Sequence, residues 1–421
     1  MASGDSGELA MGGVALSEIA GAVGTPTYMY DARAIRGRHS ALAAALRPVP
    51  HRILYAVKAN ANLAVLGLLA RLGAGADIVS GGELLRALAA GFPAESIVFS
   101  GAGKTDEELT AAVAARIGCI NAESVGELRR IALICELSGQ DATVGIRVNP
   151  DVAAATHPYI ATGKGGLKFG VPLAQFNDAL RVIDASSRLR LGAVAMHIGS
   201  QILHTDPYVA GLRRLIDLIG EARGAGHVPD LIDVGGGLGI RYREERPLEP
   251  AEWIAPLCDT VRSSGCTLQI AFGRYLVGSA GILLARVIDT KCAEGRRIAV
   301  IDAGMNDLLR PALYQAWHAV VPVRPSPGEM GRWDVVGPVC ETGDFIGFDR
   351  EMPQLGPGDL VAILGAGAYG FAMSSNYNSR ARAAEVMVDD GTWRVVRPRE
   401  RLADLYRDEP ADPFGHGSGA S

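Results

Sequence analysis

From residue 53 onward the chain keeps one rhythm: a short apolar run, a turn, then a longer run whose apolar residues recur every three or four positions. Eight short runs can be counted, at 53–57, 77–79, 96–99, 119–121, 143–148, 191–197, 231–234 and 267–271. Helical patterns lie between them at 63–72, 82–90, 106–117, 125–137, 173–185, 208–225 and 251–264. Strands that alternate with helices build a parallel sheet, and eight such units close into a (β/α)8 barrel. After about residue 280 the rhythm changes. Runs at 282–287, 297–302, 333–339, 359–364, 383–388 and 392–396 are strand-like, with Gly, Pro and Asp turns between them. A chain of 421 residues exceeds one ordinary core, so a barrel followed by a second, mostly β domain is the expected architecture.

Composition excludes several functions. The formal net charge is −5 and no basic block is present, so neither nucleic acid nor a membrane surface is an expected partner. No apolar run is long enough to span a membrane. Residues 1–7 lack the basic-then-apolar pattern of a secretory signal. The six cysteines (119, 135, 258, 266, 292 and 340) show no metal-ligand spacing, which suits a reducing cytoplasm and a protein without a metal. Five of them sit in apolar surroundings, as small core residues would, and Cys340 stands apart in Gly337-Pro-Val-Cys-Glu-Thr-Gly-Asp344. Residues 1–12 and 410–421 are rich in small and polar residues and are expected to fray.

The active site of such a barrel lies at the C-terminal ends of its strands. Arg52-Ile-Leu-Tyr-Ala-Val-Lys-Ala-Asn60 reads as the first strand, ending at Lys58. A lysine hidden at the end of an apolar strand is costly unless paired or reactive, and burial favours the neutral amine that attacks carbonyl carbon. An isolated lysine in such a loop is ordinarily just solvated, so its neighbours decide. The other strand ends bring Ser80-Gly-Gly-Glu83, Arg147-Val-Asn-Pro150, His197-Ile-Gly-Ser200, Gly235-Gly-Gly-Leu-Gly239 and Gly273-Arg274 to the same mouth. Barrels often bind phosphate after strands seven and eight, where glycines let backbone N–H groups close on its oxygens. A tight turn would explain three glycines equally well. With an imine-forming lysine they point to a phosphate-bearing aldehyde, pyridoxal 5'-phosphate, with His197 placed to stack on its ring.

At this point the chain resembles diaminopimelate decarboxylase, of the alanine-racemase-like class of pyridoxal phosphate enzymes. The similar segments run through most of residues 26–400. They include Tyr55-Ala-Val-Lys-Ala-Asn60, Gly75-Ala-Asp-Ile-Val-Ser-Gly-Gly-Glu83, Thr156-His-Pro-Tyr-Ile-Ala-Thr-Gly163, Lys168-Phe-Gly170, His197-Ile-Gly-Ser200 and Asp233-Val-Gly-Gly-Gly237. Met305-Asn-Asp-Leu-Leu-Arg-Pro311, Cys340-Glu-Thr-Gly-Asp344 and Gly367-Ala-Tyr-Gly370 follow in the same order. The resemblance implies decarboxylation of meso-2,6-diaminopimelate to L-lysine and carbon dioxide, in a cytoplasmic homodimer with shared active sites. It implies domains of 35–278 for the cofactor barrel and 279–421 for a β-sandwich or Greek-key barrel, with 1–34 joining the latter. Lys58 resembles the Schiff-base lysine and His197 the ring-stacking histidine. Ser200, Gly237, Gly273, Arg274 and Tyr369 resemble the cofactor contacts. Arg274, Arg310, Tyr314, Glu341 and Tyr369 resemble the substrate-binding set, in which arginine grips a carboxylate and Glu341 an ammonium. Cys340 resembles a proton donor acting across the dimer.

One departure stands out. Ala271-Phe272-Gly273-Arg274 occupies the place of the family's usual Glu-Pro-Gly-Arg, whose glutamate pairs with the cofactor's ring nitrogen. Three readings follow: a decarboxylase whose ring nitrogen is served otherwise, a relative acting on another amino acid or a tethered aminoacyl group, or a cofactor-binding protein without catalysis. Intact Lys58, Cys340 and Glu341 weigh against the last.

Overall fold

The computed structural model describes residues 2–3, 7–152, 168–324, 329–411 and 413. Eight strands close into a barrel: His51–Ala56, Gly75–Ile78, Ile97–Phe99, Cys119–Ala122, Ala142–Arg147, Leu189–Ala195, Leu231–Asp233 and Thr267–Ala271. Every neighbouring pair is parallel, and the eighth strand pairs with the first through Leu268–His51 to Ala271–Leu54. All eight coincide with the apolar runs of the sequence. Parallel strands are covered on their outer face by helices and filled inside, so their residues read as continuous apolar runs.

The helices start where short polar side chains accept the first free N–H groups. Asn62, Ser80, Thr105 and Ser124 each cap one, and Thr105 forms a capping box with Glu108. The Ser80-Gly-Gly-Glu83 motif is therefore first of all a helix start: Ser80 Oγ accepts from Glu83 N, and Glu83 Oε2 accepts from Val79 N at 2.8 Å. Trp253, Tyr208 and Phe272 pack edge to face between the outer helices and the last strand.

The second region is built on one nine-stranded sheet. Its spine is the long strand Gly281–Ala293. The first half of that strand lies between Thr27–Asp31 and Leu360–Leu364, and the second half pairs with Arg296–Ile301. Thr27–Asp31 also pairs in parallel with Ala384–Asp389, so the chain's beginning is woven into this sheet. Residues 7–12 do not fray: Leu9–Met11 forms a strand, and Leu9 N donates to Val323 O at 2.8 Å. Phe345–Met352 is a strand that the pattern hides, because Gly347 and a positive φ at Asp349 break its alternation. Cys292 is exposed rather than a core residue, whereas Cys119, Cys135, Cys258 and Cys266 are buried. Among the described residues no helix is long and apolar enough to cross a membrane.

Candidate active site

Lys58 lies two residues beyond the end of the first strand, in the 3-10 turn Val57–Ala59. It is exposed, which corrects the expectation of a buried amine. What singles it out is the space it faces. Two adjoining cavities, of about 180 and 270 Å³, open at the C-terminal mouth of the barrel and share Lys58, Asp77, His197 and Ala271. Among the described residues no hydrogen bond or ion pair holds the Lys58 ammonium. Lys104, also near this end, is the contrast: it is buried and donates to Gly101 O, Asn121 O and Glu127 Oε1 at 2.7–2.9 Å.

The first cavity is lined by His197, Ser200, Gly237, Gly273, Arg274, Arg310, Tyr314 and Tyr369 together with Lys58. The structure thus brings together nine of the eleven residues singled out in the sequence. Cys340 and Glu341 are not among the lining and are exposed on the second region. The 156–163 stretch lies outside the described residues.

Tight packing explains the glycine turn after the seventh strand. Gly235 has φ +71°, and a Cβ there would fall 2.6 Å from Met196 O and 2.7 Å from His197 Nδ1. Gly237 has φ +124°, and its Cβ would collide with Tyr208 Oη. His197 Nδ1 accepts the Gly236 N–H at 3.1 Å. Burial, with the Lys58 and Arg147 cations nearby, holds His197 well below the usual histidine range, so the ring is neutral.

Two guanidiniums form the opposite wall. Arg274 and Arg310 are only 7% and 6% exposed, and among the described residues neither has a carboxylate partner. Arg274 donates to Ser200 Oγ at 3.1 Å and to Tyr242 Oη at 2.7 Å. Arg310 Nη1 lies 2.7 Å from His318 Nε2. Two buried cations without acids suit an anionic ligand. The second region reaches the Lys58 turn directly: Tyr369 N donates to Ala59 O at 2.8 Å, and Asn60 Nδ2 to Gly367 O at 3.2 Å.

Below the mouth, Asp77 and Asp233 lie in the barrel interior. Asp77 accepts from Ser100 Oγ at 2.7 Å, and burial raises it against the pull of Lys58. Asp233 accepts from Gly235 N, Asn121 Nδ2 and Gln269 Nε2, and burial with the neighbouring Asp77 pushes it up to about 6. The sequence reading placed Asp77 at the start of its strand and overlooked that an acid inside an apolar run must face the cavity. It also missed Tyr242 and His318. The one available signal was a histidine four residues after Tyr314 in a segment already marked by Arg310.

Comparison with known proteins follows this geometry. A family model described as the pyridoxal-dependent decarboxylase, pyridoxal binding domain, matches residues 32–278. The diaminopimelate decarboxylase of Pseudomonas aeruginosa is 47% identical over 406 residues, covering 96% of this chain and 98% of that protein. The diaminopimelate decarboxylase of Vibrio cholerae is 44% identical and covers 97% and 98%. The crystal structure of diaminopimelate decarboxylase from Helicobacter pylori complexed with L-lysine is 38% identical, covers 93% of this chain and 98% of that one, and has a TM-score of 0.89.

Proposed function

Because the chain belongs to the pyridoxal-dependent decarboxylases, we propose that it releases carbon dioxide from meso-2,6-diaminopimelate and yields L-lysine. The observation that carries this reading is the cavity itself: a lysine ammonium and two buried guanidiniums, none of which has an acid partner among the described residues. The cofactor is pyridoxal 5'-phosphate, and the residues fit it. Arg274, which has no carboxylate partner among the described residues, lies beside Ser200 and the glycine backbone as a cradle for a phosphate, and a Cβ at Gly273 would meet Ala59 Cβ at 2.8 Å, so the backbone there lies close against the Lys58 turn. Bound, the cofactor supplies an aldehyde that takes up an amine and a ring that accepts the electron pair left by departing carbon dioxide.

The chain's own residues then divide the work. Lys58 would hold the cofactor, its amine being the group at this mouth that can attack an aldehyde carbon. His197, neutral and fixed by the Gly236 N–H, offers a flat ring to stack against. Ser200, Gly237, Gly273, Arg274 and Tyr369 hold the cofactor. Arg310, with Arg274, Tyr314 and Tyr369, grips the substrate carboxylate that is kept, and Glu341 takes the neighbouring ammonium. The carbon that loses its carboxylate as carbon dioxide takes a proton in its place, and Cys340 Sγ would be the group that supplies it. Since Cys340 and Glu341 are exposed away from this cavity, each serves the cavity of a second chain, and the working form is a cytoplasmic homodimer. The relatives' match over almost the whole chain favours this substrate over the other readings opened by Ala271. The test is purified, cofactor-loaded protein offered meso-2,6-diaminopimelate, ornithine, arginine and lysine, with products identified. Release of carbon dioxide from another amino acid only, or from none, would overturn the reading.

A further inference from the structure

The two guanidiniums at the cavity wall are held in an unusual way. Burying an arginine ordinarily calls for an acid beside it. Here the partners are neutral. Tyr242 comes from the loop after the glycine turn, and its Oη accepts from Arg274 Nη1 at 2.7 Å. The same ring presents its face to Arg310, whose guanidinium carbon lies 4.7 Å from the ring centre. His318 is fully buried and meets Tyr242 edge to face at 5.4 Å and 75°. Its Nδ1 lies 2.7 Å from Leu364 O. A carbonyl only accepts, so Nδ1 carries the hydrogen, and Nε2 keeps the lone pair that receives Arg310 Nη1–H. Burial and the adjacent Arg310 charge push this imidazole down to about 3, so it is a neutral acceptor at any working pH. Arg274 is further supported by the Tyr369 ring, whose centre lies 4.9 Å from Arg274 Cζ.

An acid in place of Tyr242 or His318 would fix the arginines equally well but would neutralise them. A phenol oxygen, an imidazole nitrogen and aromatic faces fix the geometry and leave both charges unspent. We propose that Tyr242 and His318 are positioning residues that make this cavity selective for a ligand carboxylate, by holding Arg310 and Arg274 with neutral acceptors only. The inference rests on the proposed function for the identity of that ligand, an amino acid with a carboxylate at the retained end.

Two ligands separate the claim from a merely structural role: L-lysine, which carries the carboxylate, and 1,5-diaminopentane, the same chain without it. Equilibrium binding of each to cofactor-loaded protein is measured by calorimetry. His318→Phe removes the acceptor and His318→Glu replaces it with a charge. Each should weaken L-lysine about tenfold or more while leaving 1,5-diaminopentane within about twofold. His318→Gln retains a neutral acceptor and should stay within about threefold of the parent for both ligands. In turnover, the KM for meso-2,6-diaminopimelate should rise more than kcat falls. If His318 variants do not fold, Tyr242→Phe keeps the ring and deletes only the oxygen, and should weaken L-lysine by about threefold or more. Equal loss for both ligands, or unchanged L-lysine binding in His318→Glu and Tyr242→Phe, overturns the proposal. A parent protein that binds L-lysine with this selectivity but releases no carbon dioxide from diaminopimelate would instead sink the functional reading and leave the positioning claim standing.

Discussion

The barrel mouth and the Cys340–Glu341 loop are built in opposite ways. At the mouth, charged groups are buried and enclosed: Asp77, Asp233, Arg274 and Arg310 are all under a tenth exposed. In the loop the two reactive side chains are exposed, but the backbone beneath them is pinned. The Asp344 carboxylate accepts Met305 N and Val339 N at 2.6 Å each, and Asn378 Oδ1 accepts Cys340 N at 2.8 Å. A Cβ on Gly304 would crowd that carboxylate at 2.9 Å. The difference sets an enclosed cavity with buried charges against an exposed pair of side chains on a pinned backbone.

The largest expected effect breaks the mouth. Lys58→Ala should abolish the cofactor's visible absorbance and lower turnover by roughly a thousandfold or more. Lys104 cannot substitute, because it is saturated by two carbonyls and Glu127. An unchanged absorbance spectrum would remove Lys58 from its role.

The second prediction breaks the other half of the comparison. Lys58→Ala and Cys340→Ala chains, each inactive alone, should regain activity when mixed under conditions that exchange subunits. In a random mixture half of the dimers are hybrids, each with one intact site, so about a quarter of the parental activity should return. No recovery, with exchange verified by mass, would mean that each site is built from one chain.

How far the sequence foretold this molecule follows the same divide. The barrel was legible because its strands are short apolar runs alternating with helical patterns, and strand ends fix where the mouth must be. Lys58, His197, Ser200 and the Gly235 turn followed from that rule alone. Through-space partners were not legible. Tyr242, His318 and Leu364 meet from three distant segments, and beyond the place of His318 four residues after Tyr314 nothing local marks the meeting. Exposure was misread as well. Lys58 follows a fully buried Val57, and its position in a turn, not the polarity around it, turns it outward into the cavity.

A third prediction concerns the acids under the mouth. Asp233 is raised from 3.8 to about 6, so the folded protein holds this proton more tightly than the unfolded chain. Its contribution therefore favours folding below about pH 4 and is lost as pH rises through about 6. At about 1.4 kcal/mol per pKa unit, the swing is at most about 3 kcal/mol. Asp233→Asn should flatten that slope in denaturant unfolding between about pH 4 and 7, so that its stability gains on the parent's as pH rises. A difference between the two proteins that does not vary with pH would mean the acid titrates normally.

The smallest effect, and the one that most sharpens the picture of the mouth, is at Ala271. This residue is 5% exposed and lines both cavities, so a side chain grown there enters the space beside Lys58 and Asp77. A carboxylate at this place could form a charge-assisted hydrogen bond with the cofactor's ring nitrogen, a contact of about 1.5–3 kcal/mol. If that bond strengthens as charge enters the ring, Ala271→Glu should speed carbon dioxide release by about ten- to a hundred-fold in a single turnover. The neighbouring Phe272 also lines the first cavity, and its ring packs against Trp253, with ring centres 5.1 Å apart and the planes at 76°. Phe272 N also donates to Leu54 O at 3.1 Å, a bond that Phe272→Pro would delete. The single variant should therefore outperform the double one. A third acid near Asp77 and Asp233 has its own signature. Without cofactor the melting temperature of Ala271→Glu should fall below the parent's, and with cofactor it should recover. Recovery without acceleration would show that the new acid meets the ring while its nitrogen limits nothing. Neither recovery nor acceleration would place the ring away from Ala271 altogether.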